Sequence, residues 1–388
     1  MKIYFLIYNI YGMGGTVRTV LNTTNYLAEK GFNIEIISVF RRQRKPFFEI
    51  NPKINITVLH DLYSRKYNNK GLKAKLINQL TKVKSFLIHK DEEAYRQFSL
   101  LTDLKLLFHL KSLKEGIIVS TRPSLNLFVA KHASDKLIKV GQEHINFESH
   151  PENLKQSIVK HYPKLDYLIT LTDKDNENYK EIFKNTKTIV KKITNSVNNS
   201  NAGKSELNAK TIVAAGRLDY VKGYDLLIDA YANVAKKHPD WKLKIFGSGA
   251  EKNNLLKQIQ ERKLYNNVFL MGPTKQLQEE LQNASIFVCS SRMEGFGLVI
   301  AEAMQCGVPV VSFDCPHGPS EIIKHGEDGI LVENGNVEKL AEEINKLIEN
   351  EQLRKQLGNK AYENVERFSV EYIGEQWSEF FNQLMKTT

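Results

Sequence analysis

Short apolar runs alternate with segments of helical periodicity through the first half of the chain. Residues 1–9 form a near-continuous apolar run, which is typical of a parallel strand buried on both faces. The glycine-rich turn 12–15 and a segment of helical spacing follow it and lead to the next apolar run, 33–40. Because strand–helix–strand crossovers are right-handed, this unit predicts a parallel sheet. Further strands are predicted at 54–59, 116–120, 137–142 and 167–171.

The pattern restarts after a polar break. Residues 195–205 are rich in Asn and Ser, which is typical of a linker. Beyond it, strands are predicted at 211–215, 242–246, 268–271, 286–290, 308–313 and 329–332. Two alternating halves predict an α/β protein with two doubly wound domains facing a cleft. We place the domains at 1–195 and 196–369, with a helix at about 370–388 packing back on the first.

The composition changes this picture little. The chain has 388 residues, of which 41% are apolar and 26% charged, as expected for a globular protein of two domains. A net charge of +11 indicates acidic partners such as anionic lipid, nucleic acid or phosphorylated substrates. Cys289, Cys306 and Cys315 have no metal-site spacing and indicate a reducing compartment. The N-terminal run predicts a strand rather than a signal peptide, and no window predicts a transmembrane helix.

Residues 289–321 hold the densest group of candidate site residues. Glu294 precedes a Gly-x-Gly turn that opens a helix, and Glu302 lies about one turn inside that helix. A helix start presents free N–H groups and a partial positive charge, which suit a phosphate. The segment therefore favours a site for a nucleotide with a polar group attached.

Two other turns in the second half follow predicted strands. Arg217 and Lys222 lie five positions apart in GRLDYVKG, and two cations at the carboxyl end of a strand suit a diphosphate. Surface solvation is the alternative, which the loop position and the motif at 294–302 disfavour. Gly247 and Gly249 open a helix, either as a simple turn or to admit a phosphate or nucleoside.

The first half offers two weaker candidates. The turn 12–15 lacks the Gly-x-Gly-x-x-Gly spacing, and the next strand ends in basic residues, so a dinucleotide role is disfavoured. The turn can instead allow a substrate to approach the backbone closely. His144 follows the strand at 137–142, where a cleft residue is expected, although a structural or solvent-exposed histidine is the alternative.

A basic segment in the first half has its own interpretation. Residues 62–90 contain eight Lys or Arg residues and no acidic one, and apolar residues recur at helical spacing across 71–88. A basic amphipathic helix favours an anionic membrane surface as its partner. The alternative is a packing helix with a solvated basic face.

Together these motifs resemble those of the retaining glycosyltransferases of family 4. The resemblance covers nearly the whole chain and is most specific in the second half. The family's E-x7-E motif is matched by Glu294 and Glu302. Its G-R-x-x-x-x-K-G segment and its glycine turns are matched by Gly216, Arg217, Lys222, Gly223, Gly14, Gly15, Gly247 and Gly249. The resemblance implies the GT-B fold, with an acceptor-binding first domain and a nucleotide-sugar-binding second domain.

The resemblance also implies a role for each matched residue. Arg217 and Lys222 would hold the donor diphosphate, Glu294 the donor sugar and Glu302 the ribose, while His144 would lie near the anomeric carbon. The implied catalytic residues are His144, Arg217, Lys222 and Glu294. The implied donor-binding residues are Gly14, Gly15, Gly216, Arg217, Lys222, Gly247, Glu294, Phe296, Gly297, Leu298 and Glu302.

The implied reaction is a retaining transfer without a metal or cofactor. Asp173 and Asp175 have the Asp-x-Asp spacing of a metal motif but open a helical stretch, so we expect no metal there. The CPHGPSE run at 315–321 resembles members that use UDP-linked hexoses or N-acetylhexosamines for bacterial surface glycans. We therefore expect a UDP-sugar donor and a glycan acceptor (lipid-linked oligosaccharide, capsule or teichoic acid) at the cytoplasmic membrane face.

The pattern has other interpretations. An enzyme of the same architecture could epimerise or hydrolyse a UDP-sugar without an acceptor, or could be a phosphorylase, which would need a lysine-bound pyridoxal cofactor. A nucleic-acid-binding protein is suggested by the charge of +11. It is disfavoured because aromatic residues are not interleaved with the basic run as stacking platforms.

Overall fold

The structure is a computed structural model of the chain. It describes residues 1–64, 72–198 and 203–386, and within 72–76 it describes only one side chain, that of Lys75. The described chain divides into two compact units. Unit 1 comprises Met1–Ser196 and the C-terminal segment from Ile373, and unit 2 comprises Val197–Tyr372.

Unit 1 is built on a parallel sheet. Its strands are β1 (Lys2–Ile7), β2 (Asn33–Arg41), β3 (Asn55–Asp61), β4 (Gly116–Ser120), β5 (Leu137–Gln142), β6 (Tyr167–Thr170) and β7 (Ile189–Lys192). They lie in the order β3-β2-β1-β4-β5-β6-β7. Its helices are α1 (Gly15–Glu29), α2 (Leu72–Lys82), α3 (Leu100–Ser112), α4 (Pro123–His132), α5 (Glu152–His161) and α6 (Asp173–Phe183). The central strands are apolar runs because both faces of the sheet are buried.

Unit 2 repeats this arrangement with a second parallel sheet. Its strands are β8 (Thr211–Ala215), β9 (Lys242–Phe246), β10 (Val268–Gly272), β11 (Ile286–Cys289), β12 (Val310–Asp314) and β13 (Ile330–Glu333). They lie in the order β10-β9-β8-β11-β12-β13. Its helices are α7 (Tyr224–Lys237), α8 (Lys252–Glu261), α9 (Leu277–Gln282), α10 (Leu298–Gln305), α11 (Pro319–Ile322), α12 (Val337–Glu349) and α13 (Glu351–Asn364).

The last helix, α14 (Val370–Lys386), carries the chain from unit 2 into unit 1. Its aromatic face packs on the unit 1 sheet, where Phe5 of β1 contacts Trp377 and Phe381 with ring centroids 6.5 and 6.2 Å apart. The Tyr26 hydroxyl of α1 donates a hydrogen bond to Glu375 at 2.9 Å. The C-terminal helix is therefore part of the first unit's core.

The predicted fold class, two Rossmann-like doubly wound α/β domains, is confirmed. In each sheet the strand order reverses at the first strand of the unit, between β1 and β4 and between β8 and β11. Loops leaving the carboxyl ends of two such strands diverge, so ligands usually bind at this point of an open parallel sheet. The candidate residues lie at or near these two places.

Two elements differ from the sequence predictions. Strand β7 was not predicted, because it is a four-residue edge strand that includes two lysines. Helix α2 ends at Lys82, so Val83 and Leu87 do not continue the amphipathic helix predicted over 71–88. The physical reason is Asp103 of α3, whose carboxylate accepts the backbone N–H groups of Phe86 (2.7 Å) and Leu87 (3.1 Å) and holds them in a turn.

Part of the predicted basic segment lies outside the described residues. This applies to residues 65–71 and to the side chains of Leu72, Lys73, Ala74 and Leu76. Of the described part, Lys75, Lys82 and Lys84 are exposed. Within the described ranges, no helix is both long and apolar enough to span a bilayer.

Candidate active site

Four loops meet at the carboxyl edge of the unit 2 sheet. They follow β9, β8, β11 and β12, which are neighbours in that order. Close backbone approach joins them: a Cβ at Gly247 would overlap the carbonyl oxygen of Gly216, and one at Gly318 would overlap Phe296 and Glu294. The glycines of the sequence motifs therefore allow the loops to pack on one another, which is a role additional to the predicted approach of a ligand.

Lys222 and Glu294 are in direct contact in this group of loops. Lys222 Nζ lies 2.5 Å from Glu294 Oε1, and both side chains are largely buried. Asp219 fixes the turn that carries the lysine, because its side chain accepts the Lys222 N–H at 3.2 Å. Gly223 then takes a left-handed conformation (φ 61°) to start α7, and a Cβ there would collide with the carbonyl oxygen of Ser290.

The electrostatics of the pair keep the Lys222 ammonium charged. Burial by itself would lower the pKa of Lys222, but the Glu294 carboxylate and other neighbouring groups outweigh it and raise that pKa. Ser291 donates its hydroxyl to the same Glu294 oxygen at 2.6 Å. The site thus presents a fixed, buried ammonium group, and such a group stabilises developing negative charge without having to reorganise.

Arg217 differs from Lys222 in its surroundings. About two thirds of its side chain (68%) is exposed, and its Nε lies 3.2 Å from Asp219 Oδ2 on the same loop. The two cations of the motif therefore lie on one loop, one buried and fixed and the other largely solvated.

Sequence reasoning missed Arg292, which holds the β8 and β11 loops together. Its guanidinium forms a bidentate pair with Asp225 (2.8 and 2.6 Å) and donates to the carbonyl oxygen of Tyr220 at 2.7 Å. It also lies 4.0 Å from the centre of the Tyr220 ring. Because residues 220–222 form the turn that carries Lys222, Arg292 positions that lysine. The sequence signal that could have indicated this role is the position of Arg292, two residues before Glu294 of the motif.

Helix α10 begins at the same edge of the sheet. Gly297 caps it in a left-handed conformation (φ 97°) without a side-chain cap, and Leu298 is its first residue. The Phe296 side chain is buried edge-on against Phe368, so only its backbone can face a ligand. Glu302 is buried one turn inside α10, as the motif predicted.

The candidates in unit 1 lie at the carboxyl ends of β1 and β5. Gly14 and Gly15 are exposed at the start of α1, and open space surrounds Gly14. His144 follows β5, and its Nε2 is buried with no hydrogen-bond partner among the described residues. Burial, with a smaller effect of the Arg122 cation, lowers the pKa of His144 from 6.5 to about 4. The imidazole is therefore neutral at physiological pH.

Known proteins with similar sequences identify the family. A family model for group 1 glycosyl transferases matches residues 196–364. A Haemophilus influenzae protein named as an uncharacterized glycosyltransferase is 31% identical over 380 residues, which cover 97% of this chain and 98% of that protein. The chain belongs to the group 1 glycosyltransferases.

Other proteins are similar to this glycosyltransferase. The poly(ribitol-phosphate) alpha-N-acetylglucosaminyltransferase of Staphylococcus aureus is 30% identical over 87% of this chain and 69% of that protein. An exopolysaccharide phosphotransferase of Streptomyces coelicolor is 34% identical over 99% of this chain, which spans only 41% of that protein's length. A crystal structure of a TarM mutant from S. aureus has a TM-score of 0.78 at 21% identity, covering 98% of this chain and 99% of that chain. This last similarity supports the fold.

A buried polar network supports the His144 loop of the glycosyltransferase and was also missed from the sequence. Glu143, next to His144, accepts hydrogen bonds from Asn126 (3.0 Å) and from the Tyr162 hydroxyl. Asp175 of α6 accepts the backbone N–H of Phe147 in the same loop at 3.0 Å. Burial raises the pKa of Asp175 to about 7.

The two aspartates of the Asp-x-Asp pattern at 173–175 make structural contacts. Asp173 pairs with Lys192 of β7 at 2.6 Å, and Asp175 holds the His144 loop. Among the described residues, no group of three or more His, Cys, Asp or Glu side chains is arranged to hold a metal ion.

Proposed function

We propose that this glycosyltransferase belongs to the retaining family 4 and moves a hexose or N-acetylhexosamine from a UDP-sugar to a bacterial surface glycan. The acceptor classes are lipid-linked oligosaccharide, capsule and teichoic acid. The names of two relatives, a poly(ribitol-phosphate) N-acetylglucosaminyltransferase and an exopolysaccharide phosphotransferase, support a surface polymer. The TarM crystal structure contains UDP, which supports a uridine donor.

The observation that carries the proposal is the contact between Lys222 and Glu294 at the strand-order reversal of unit 2. Departure of UDP places negative charge on the diphosphate. The fixed Lys222 ammonium, the Arg217 guanidinium and the N–H groups at the start of α10 would stabilise that charge. Glu294 would accept hydrogen bonds from the sugar hydroxyls, and Glu302 from the ribose.

In unit 1, His144 is proposed to contact the donor sugar near its anomeric carbon. A neutral imidazole has one N–H donor and one acceptor nitrogen, so it can bind a sugar hydroxyl in either sense. The low pKa of His144 makes this role independent of pH above about 5. Gly14 and Gly15 would leave room for the substrate beside the start of α1.

We further propose that the enzyme works at the cytoplasmic face of the bacterial membrane. Two of the exposed lysines, Lys82 and Lys84, are close in sequence to Phe86, which is 75% exposed. Cations beside an exposed aromatic residue suit the interface of an anionic bilayer.

A donor screen tests the function. UDP, GDP and ADP, with their hexose conjugates, are compared by thermal shift, since a ligand that binds only the folded state raises the melting temperature. We expect uridine ligands to give the largest shift. A larger shift with GDP or ADP would reject the donor assignment.

Turnover tests the site itself. With the best donor and a surface-glycan acceptor, Arg217→Ala should reduce UDP release about 100-fold or more. Lys210→Ala is a matched control, because Lys210 immediately precedes β8 and Arg217 follows its carboxyl end. The anomeric configuration of the product, read by NMR, tests retention. Equal turnover of the two variants would reject the diphosphate assignment.

A further inference from the structure

The loop after β2, at the carboxyl edge of the unit 1 sheet, has a defined shape. Its residues 41–45 read RRQRK. The Arg41 guanidinium donates to the carbonyl oxygens of Gln43 (3.3 Å) and Arg44 (3.0 Å). The Gln43 amide and the backbone N–H of Phe47 both donate to the carbonyl oxygen of Tyr11, which precedes the glycine turn 12–15. These contacts fix the loop beside that turn.

The other three cations of this loop are exposed and uncompensated. Arg42, Arg44 and Lys45 have exposed side chains, and the hydrogen bonds of Arg42 in the described part of the chain go to neutral groups, the Gln97 amide oxygen at 2.5 Å and the Tyr8 hydroxyl. Ion pairs in the described part of the chain include Arg41 with Asp61, but none there involves these three cations. Three like charges within four residues repel one another, and a bound anion would relieve that repulsion.

The sheet edge continues from these three cations toward His144 through Arg122, whose charge is already paired with Glu92 (3.0 Å) and Glu93 (3.2 Å). Tyr8, after β1, lies beside Arg42 and under Arg122, whose guanidinium is 5.4 Å from the ring centre. Arg122 follows β4, and its charge acts on His144 after β5. Because β2, β1, β4 and β5 are adjacent, the edge from Arg42 to His144 spans three strand spacings, about 14 Å. An edge of this length suits an extended polymer better than a single small anion.

Phosphate is the anion that these side chains fit best. The guanidinium fork matches two phosphate oxygens, and such charge-assisted bonds are the strong ones. A neutral glycan would leave all three charges uncompensated. We propose that this edge binds the phosphodiester groups of an anionic acceptor polymer, with Arg42, Arg44 and Lys45 on the phosphates and the accepting hydroxyl toward His144. Only the direction toward His144 rests on the function proposed above.

Two triple variants test the site. Arg42→Gln with Arg44→Gln and Lys45→Gln removes the loop charges. The matched control replaces Lys131, Lys160 and Lys164 with Gln. These lysines are exposed and influence one another. Lys131 and Lys160 lie near the ends of α4 and α5, and Lys164 lies in the turn after α5, where the chain returns to the opposite edge of the same sheet. Both variants lose the same charge from the same unit.

The primary readout is binding, not turnover. Fluorescence anisotropy with a labelled poly(glycerol phosphate) oligomer is measured without donor, at low and at physiological salt. We expect the loop variant to bind at least about tenfold more weakly, with a shallower salt dependence, and the control to bind as the unmodified protein does. Equal binding of all three proteins would overturn the proposal.

Two further measurements separate the alternatives. Vesicles with an anionic lipid headgroup offer phosphate from a membrane, and loss of vesicle binding by the loop variant with unchanged oligomer binding would assign the loop to lipid and overturn the proposal. The UDP thermal shift should be the same in the loop variant. If UDP gave no shift in any protein while the oligomer result held, the function proposed above would fail and the phosphate site would stand.

Discussion

Replacing Lys222 with methionine removes the buried ammonium group while keeping the volume and the apolar stem of the side chain. Lys222 Nζ lies 2.5 Å from Glu294 Oε1, and the two side chains are 19% and 8% exposed. Removing one member of a buried pair leaves the other charge unpaired, which typically costs about 3–5 kcal/mol of folding free energy. In the variant, Glu294 still accepts a hydrogen bond from the Ser291 hydroxyl at 2.6 Å. We therefore expect the free energy of unfolding to fall by an amount near the lower end of that range, about 3 kcal/mol.

This loss of stability has to be separated from the loss of catalysis. Glu294→Gln leaves Lys222 unpaired and should destabilise the protein by a similar amount. In the double variant neither charge remains, so we expect a stability closer to that of the unmodified protein. Turnover should behave differently. Lys222→Met should reduce UDP release about 100-fold or more, and the double variant should not recover it.

The assay combines unfolding with kinetics on the same four proteins. Thermal unfolding gives stability, and UDP release at saturating donor gives turnover at a temperature where every variant is folded. Lys210→Met is the control for loss of a lysine beside the same strand. Near-normal turnover of Lys222→Met, or recovery of turnover together with stability in the double variant, would show that the ammonium serves the fold alone and would refute its role at the diphosphate.

Three further outcomes are expected. Arg292→Lys keeps the charge but loses the bidentate pair with Asp225, so turnover should fall about tenfold. The variant should still fold without UDP, and its circular dichroism spectrum checks this. The pKa of Asp175 is about 7 in the folded protein, against an ordinary value of 3.8. Between these two pH values the folded state keeps a proton that the unfolded state has lost, so the free energy of unfolding falls as pH rises from 3.8 to about 7. Asp175→Asn should therefore stabilise the protein more at pH 8 than at pH 5, with a difference of about 2.5 kcal/mol in urea unfolding, and equal effects at both pH values would contradict this. Replacing the exposed lysines of the basic segment should weaken binding to anionic vesicles at low salt without changing the UDP thermal shift, and unchanged sedimentation with vesicles would remove the membrane role. The lysines to be replaced by Gln are Lys75, Lys82 and Lys84.

The strands could be predicted from sequence because each buried parallel strand is an apolar run bounded by turn residues. The prediction failed where that signal is absent or misleading. Strand β7 is at the sheet edge, where Ile189 is exposed, and it has little apolar character. The helical spacing of leucines continued past Lys82, but the buried carboxylate of Asp103, fifteen or more residues away, fixes the following turn. Local periodicity carries no information about such a distant partner.

The site could be predicted only as far as its motifs are local. Glu294, Glu302, Arg217 and Lys222 stand in short segments whose spacing has chemical meaning. The contacts that position them join loops far apart in sequence, such as Arg292 to Asp225, 67 positions away. The network around Glu143 likewise depends on Asn126 and Tyr162 from other elements. The sequence contains these residues, but their roles depend on which strand ends the topology makes neighbours.

In the proposed function, the pairing of Lys222 with Glu294 links two parts of donor recognition. A lysine ammonium has three N–H donors, and Glu294 takes one of them, so others can bind phosphate oxygens while the pair stays intact. The carboxylate in turn has acceptor capacity beyond the ammonium and the Ser291 hydroxyl, since two oxygens offer about four acceptor positions. If the proposed roles hold, one buried contact orders the cation for the phosphate and the carboxylate for the sugar before any donor arrives. Preorganisation of this kind favours the transition state, in which charge grows on the phosphate while the sugar must remain in place.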